Sequence, residues 1–150
     1  LKERSKCKAT AVDISRKAIN VAKTNAKLHQ LENKINFINI DIDKYKSTNY
    51  DLIISNPPYI KNFDLKNMDD EVVKYEPKLA LDGGLDGLSE IRKVVSKSSE
   101  LVKTHGKLIL EIAHDQKNEV KKILKSNNFY VNNVVKDFAH KDRCIISTKI

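Results

Sequence analysis

The sequence predicts an α/β domain built on a mostly parallel sheet, and three observations carry the prediction. Short β-prone runs alternate with segments of helical apolar spacing, the pattern of strand-helix-strand crossovers. Three of those runs stop at a polar residue, Asp13, Asp41 or Asn56, and ligands of open α/β sheets collect outside the carboxyl ends of strands. The last two runs are joined by a short polar connection, which suits an antiparallel pair at one edge.

Taken in order, Ala9-Thr10-Ala11-Val12 is a short strand that ends at Asp13. Ser15 is placed to cap the helix that follows, with Ala18, Val21, Ala22 and Ala26 at helical spacing up to about Gln30. Ile35 to Ile40 alternates toward a second strand that ends at Asp41, and Asp51 to Ser55 reads as a third, buried strand. Residues 60 to 87 have weak periodicity and carry Pro77, Gly83, Gly84 and Gly87, so they read as a long loop. Leu88, Ile91, Val94, Val95, Leu101 and Val102 then mark an amphipathic helix closed by Gly106. Leu108 to Ile112 is a buried strand, Asp115 to Ser126 a helix, and Asn127-Asn128 a turn. Phe129 to Val135 and Cys144 to Thr148 finish the sheet.

Composition narrows the class. At 150 residues the chain is the size of one domain, able to bury roughly 70% of its extended surface. No apolar run approaches the roughly 18 residues of a membrane span, so a soluble protein is expected. Cys7 and Cys144 lie far apart with no CxxC pattern, which points to a reducing cytosol and away from structural zinc. The net charge of +8 invites a nucleic-acid reading, yet the lysines are scattered and the arginines are Arg4, Arg16, Arg92 and Arg143, so a lysine-rich solvated surface is the simpler account. The chain opens on Leu1 and not on Met, and its first eight residues show no signal-peptide pattern, so a missing beginning is expected.

The chemistry concentrates at the strand ends. After Ser55 the chain reads Asn56-Pro57-Pro58-Tyr59, and two prolines fix two φ angles and remove two backbone donors, leaving stiff carbonyl groups free to accept. That suits a site holding an NH₂ group. An Asp closing a strand can accept ribose hydroxyls, and a second can take the exocyclic amine of adenine, so Asp13 and Asp41 together suggest an adenosine-containing cofactor. Singly, each is more often a helix cap or turn residue. His29, His105, His114 and His140 are scattered and read as surface or loop structure. Gly83-Gly84 reads as a loop needing positive φ, because the Gly-Lys-Ser/Thr ending of a phosphate-binding loop is absent.

Asn56-Pro57-Pro58-Tyr59 looks like the NPPY motif of S-adenosylmethionine-dependent amino-methyltransferases. Together with Tyr75-Glu76-Pro77-Lys78-Leu79-Ala80-Leu81, Asp82-Gly83-Gly84-Leu85-Asp86-Gly87-Leu88 and Asp137 to Arg143, it makes the chain resemble the HemK/PrmC family, the protein-(glutamine-N5) methyltransferases of release factors. The resemblance runs from about Ala9 to the end. It implies the class I S-adenosylmethionine-dependent methyltransferase fold, a Rossmann-like sheet with an antiparallel C-terminal strand, of which residues 1–150 form a partial domain. It implies that the Asn56 side-chain oxygen and the Pro57 carbonyl accept from the glutamine amide, that Pro58 belongs to the same substrate clamp, and that Tyr59 packs on the planar group. By the same resemblance Asp13 meets the cofactor ribose, Asp41 and Ile42 meet the adenine, and Asn56 borders both cofactor and substrate. The partner implied is a peptide-chain release factor, met in the cytoplasm by a monomeric enzyme.

The family also has a first strand with a glycine-rich turn ahead of the segment matching Ala9, and a helical substrate domain before that. All four glycines here, Gly83, Gly84, Gly87 and Gly106, lie in the second half. In the family that first strand is central, between those of Ala9 to Asp13 and Asp51 to Ser55. These residues alone are therefore expected to bind S-adenosylmethionine weakly or not at all and to be less stable than a complete domain. Two alternatives remain: methylation of an exocyclic amine in DNA or RNA, with a flipped base stacked on Tyr59, and a non-catalytic remnant. The acids Asp64, Asp69, Asp70, Glu71 and Glu76 disfavour the nucleic-acid target.

Overall fold

A computed structural model describes residues 1–4, 6–65 and 77–150. The expectations placed on Tyr75, Glu76 and the acids at 69–71 lie outside the described residues. The chain divides into two compact units, Leu1–Lys46 and Ser47–Ile150.

The first unit is a strand-helix-strand crossover. Strand β1 (Ala9–Asp13) runs parallel to β2 (Ile35–Asn39), with Ala9 opposite Ile35 and Asp13 opposite Asn39. Helix α1 (Arg16–Leu28) connects them, and the Ser15 side chain caps it by accepting from the Ala18 N–H at 3.2 Å. The buried stripe of α1 is Ile19 and Ala26 with Ala22 half-buried, while Ala18 and Val21, expected on that stripe, are exposed. Ile19 has more apolar surface to hide than Ala18, so it sets the rotation of the helix.

The second unit holds a four-stranded sheet in the order β3 (Tyr50–Ser55), β4 (Val102–Glu111), β6 (Asp142–Lys149), β5 (Phe129–Lys136). β3 and β4 are parallel, and the C-terminal strand β6 is antiparallel to both of its neighbours. The antiparallel strand is thus one place inside the edge, and β5 is the edge. Two short helices, α2 (Asn62–Leu65) and α3 (Lys78–Leu81), follow β3. The core forms where α4 (Ser89–Leu101) and α5 (Lys117–Ser126) lay Ile91, Val95, Val120 and Leu124 against Leu108, Leu110 and Ile145 of the sheet, all of them fully buried.

Three expectations are corrected here. The strand from Asp51 to Ser55 is not buried on both faces: Ile53 packs on the core, but Leu52 is 44% and Ile54 70% exposed. β3 ends its sheet, with β4 its one neighbour in it, and alternate residues of a strand point to opposite faces. Gly106 does not close a helix; α4 stops at Leu101, and β4 has already begun at Val102. Tyr50 pairs with Val102 but Leu52 with Lys107, so an irregularity is absorbed between them, and a Cβ on Gly106 would stand 2.6 Å from Val102 Cγ2 and 3.0 Å from the Tyr50 carbonyl oxygen. The helix expected from Asp115 starts two residues later, at Lys117. No helix among the described residues is long and apolar enough to cross a membrane.

Candidate active site

In the first unit the parallel register of β1 and β2 puts Asp13 and Asp41 at one carboxyl edge. Asp13 Oδ1 accepts from the Ser15 N–H at 2.7 Å, and the Asn39 amide donates to the carbonyls of Asp13 and Ile14, locking the strand exits together. Asp41 Oδ1 accepts from the Asp43 N–H at 3.1 Å and so caps a short 3₁₀ turn, Ile42–Lys44, whose first residue is half-buried. Both aspartates therefore play the turn and cap roles open to any strand-ending Asp. Each does so through one oxygen and keeps the second without a hydrogen-bond partner among the described residues.

In the second unit Asn56-Pro57-Pro58-Tyr59 leaves β3 with Asn56 exposed, Pro57 buried, and Pro58 and Tyr59 half-buried. The Tyr59 hydroxyl donates to Glu111 Oε1 at 3.2 Å, and Glu111 ends β4, the strand beside β3. Burial, reinforced by the negative charge of Glu111, pushes the Tyr59 phenol above its ordinary range, so it stays a donor across the working pH range.

The glycine segment closes over the chain just past the prolines. Ile60 donates to the Leu81 carbonyl at 3.1 Å and accepts from the Gly83 N–H at 2.9 Å, while the Asn62 N–H donates to Gly84 at 3.0 Å. A Cβ on Gly83 would meet the Tyr59 Cα and carbonyl carbon at 2.8 Å, which only glycine avoids. Gly84 and Gly87 adopt the positive φ expected of this segment, +84° and +74°. The aspartates of this segment work locally, Asp82 Oδ1 accepting from the Gly84 N–H and Asp86 Oδ1 from the Leu88 N–H while pairing with Arg92.

A cavity of about 210 Å³ opens beside Tyr59, lined by Lys61, Asp64, His114, Asp115, Gln116 and Arg143 among others. Burial is the largest single influence on Asp115 and opposes its ionisation, but the hydrogen bond from Lys61 at 3.1 Å, the Lys61 charge and smaller contributions together hold the carboxyl below its usual range. Arg143 bonds Asp137, whose other oxygen accepts from the N–H groups of Ala139 and Lys141, so the segment from Asp137 to Arg143 is a self-capped hairpin tip. Sequence reasoning missed Glu111 and Gln116. For Glu111 a signal existed: it is the lone charge in the apolar run Leu108 to Ile112.

Polar residues at the carboxyl ends of strands mark the ligand side of an open α/β sheet, and solved methyltransferases share the fold. A methyltransferase from Pyrococcus furiosus matches over 95% of this chain and 63% of that one with a TM-score of 0.67, and at 19% identity the likeness is one of fold. The chain belongs to the family described as methyltransferase domain, whose profile matches residues 1–145. It is 39% identical over 142 residues to a release factor glutamine methyltransferase from Fusobacterium nucleatum, covering 93% of this chain and 40% of that protein. A ribosomal protein uL3 glutamine methyltransferase from Francisella tularensis is 42% identical over 92 residues, 61% of this chain and 29% of that protein. The chain thus spans less than half the length of these relatives.

Proposed function

We propose that residues 1–150 are part of a methyltransferase domain that transfers a methyl group from S-adenosylmethionine to the side-chain amide nitrogen of a glutamine in a peptide-chain release factor. The observation that carries the reading is the stiff Asn56-Pro57-Pro58-Tyr59 exit of β3, fixed by Glu111 on one side and by the glycine segment on the other. An amide nitrogen is a poor nucleophile because its lone pair is delocalised. Two acceptors aimed at its hydrogens, the Asn56 side-chain oxygen and the Pro57 carbonyl, favour the pyramidal nitrogen that attacks, which is preorganised stabilisation of developing charge. Tyr59 and Pro58 flank the planar group, and holding it in line with the methyl donor supplies the rest of the acceleration.

The donor set fits the cofactor. Asp13 and Asp41 each keep one oxygen beyond their turn bonds, suited to a ribose hydroxyl and an adenine amine, and half-buried Ile42 offers apolar contact. Bound there, S-adenosylmethionine supplies an electrophilic methyl on sulfur. We read the protein as a cytosolic monomer, in keeping with its free cysteines Cys7 and Cys144.

The match across nine-tenths of this chain favours a release factor, while the uL3 methyltransferase match keeps a ribosomal protein as the second reading. The net charge of +8 favours a nucleic-acid amine, as a third. Mass spectrometry after incubating the protein as its gene encodes it with S-adenosylmethionine and each target separates them. One methyl increment on a release-factor glutamine is expected; methylation confined to uL3 or to nucleic acid overturns the assignment.

A further inference from the structure

We infer that Gln116 is the positioning residue of the amide clamp, fixing the peptide that leaves Tyr59 and through it the acceptors at Asn56 and Pro57; the inference rests on the reading of Asn56 to Tyr59 as that clamp. Gln116 occupies the N-cap position of α5 but does not cap it with its side chain, which turns inward and is 4% exposed. Its Oε1 accepts from the Ala113 N–H at 3.0 Å, and its Nε2 donates to the carbonyls of Gly87 at 2.9 Å and Tyr59 at 3.2 Å. One donor on one side and two carbonyls on the other leave a single orientation of the amide that satisfies all three. Neither an ionised carboxylate, which has no donor, nor an ammonium, which has no acceptor, does this.

The three partners come from three segments, those after β3, after β4 and before α4. They converge tightly, since a Cβ on Gly87 would stand 2.6 Å from the Tyr59 carbonyl oxygen and 2.8 Å from Gln116 Nε2. The Tyr59 carbonyl is therefore pinned from one side by the amide and crowded from another by the Gly87 backbone. Between it and the Asn56 side chain lie two prolines whose φ angles are fixed, so fewer torsions are free to absorb a shift at Tyr59 before it reaches the Pro57 carbonyl. A misplacement of about 1 Å at a reacting group can cost on the order of 100-fold in rate, so a residue that touches no substrate can still govern the chemical step.

Gln116→Glu tests this with almost no change of shape. The carboxylate keeps the bond from Ala113 but sets a second acceptor against two carbonyls, and only its protonated form can donate to one of them. The other charged groups near it include the Lys61–Asp115, Asp86–Arg92 and Tyr59–Glu111 pairs, Asp64, His114 and Arg143, with Lys117 and Glu119 on its own helix. They are common to both proteins, so the ratio of variant to wild-type kcat isolates the substituted group. Expected is a kcat lowered on the order of tenfold or more near neutral pH, an almost unchanged KM for S-adenosylmethionine, and a ratio that climbs as the pH falls. Gln116→Leu, which cannot donate at any pH, is expected to give a low ratio that stays flat. Wild-type kcat in Gln116→Glu, or equal pH-independent losses in both variants, overturns the positioning role. A wild-type protein that methylates no glutamine instead overturns the clamp reading beneath it, so the two failures are told apart.

Discussion

Asn56 and Tyr59 lie three residues apart on one exit loop and have opposite surroundings: Asn56 is exposed, while the Tyr59 hydroxyl is already engaged by Glu111. Their common requirement is a loop that does not move, and the two prolines between them meet it. The same economy holds at Asp137, which spends both oxygens on the hairpin tip and on Arg143. The Lys141 N–H bond first, against a burial cost and with help from Arg143 and Ala139, holds the Asp137 carboxyl below its ordinary range. A lowered pKa means that the folded state favours the charged form, so the stability it contributes is full above the ordinary carboxylate range and is lost as pH falls through the lowered value. Asp137→Asn is therefore expected to be less stable than wild type near neutral pH, with a gap that narrows as the pH falls below the ordinary carboxylate range. Urea midpoints across an acid pH series measure this; a gap that is constant or widens in acid contradicts it.

At the scale of elements, the notable pairing is a loop with a loop. The segment from Asp82 to Leu88 braces the proline exit through Ile60 and through the close approach of Gly83 to Tyr59. Gly83→Ala forces a Cβ to within 2.8 Å of Tyr59 backbone, so the exit loop must shift. The expected outcome is a fall in kcat of on the order of tenfold or more, out of proportion to any loss of thermal stability, because the core of α4, α5 and the sheet does not depend on that contact. Steady-state kinetics beside a thermal melt check this, and a variant with wild-type kcat contradicts it. Much of this scale was legible in the sequence. β-prone runs placed β1, β2 and the closing strands, and Ser15 announced α1. What sequence periodicity could not show was Val102 to Gly106, where an apolar helical stripe runs straight into a strand and the glycine serves a close contact with Tyr50 and not a cap.

At the scale of the whole molecule, the described residues form two sheets, β1 with β2 and β3 with β4, β6 and β5, each built by a unit with its own apolar packing. The residues at the strand ends were legible because polar groups there interrupt apolar runs. Gln116 was not, because its importance lies in three backbone partners from distant segments, and nothing in local spacing reveals them. The match over residues 1–145 shows the methyltransferase family, while the proposed chemistry rests on Asn56 as an acceptor for a glutamine amide. The decisive measurement is kcat for release-factor glutamine methylation by the protein as its gene encodes it, with and without Asn56→Ala. Loss of one preorganised acceptor predicts a fall of about 100- to 1000-fold with folding intact; an Asn56→Ala protein that methylates at the wild-type rate contradicts the clamp.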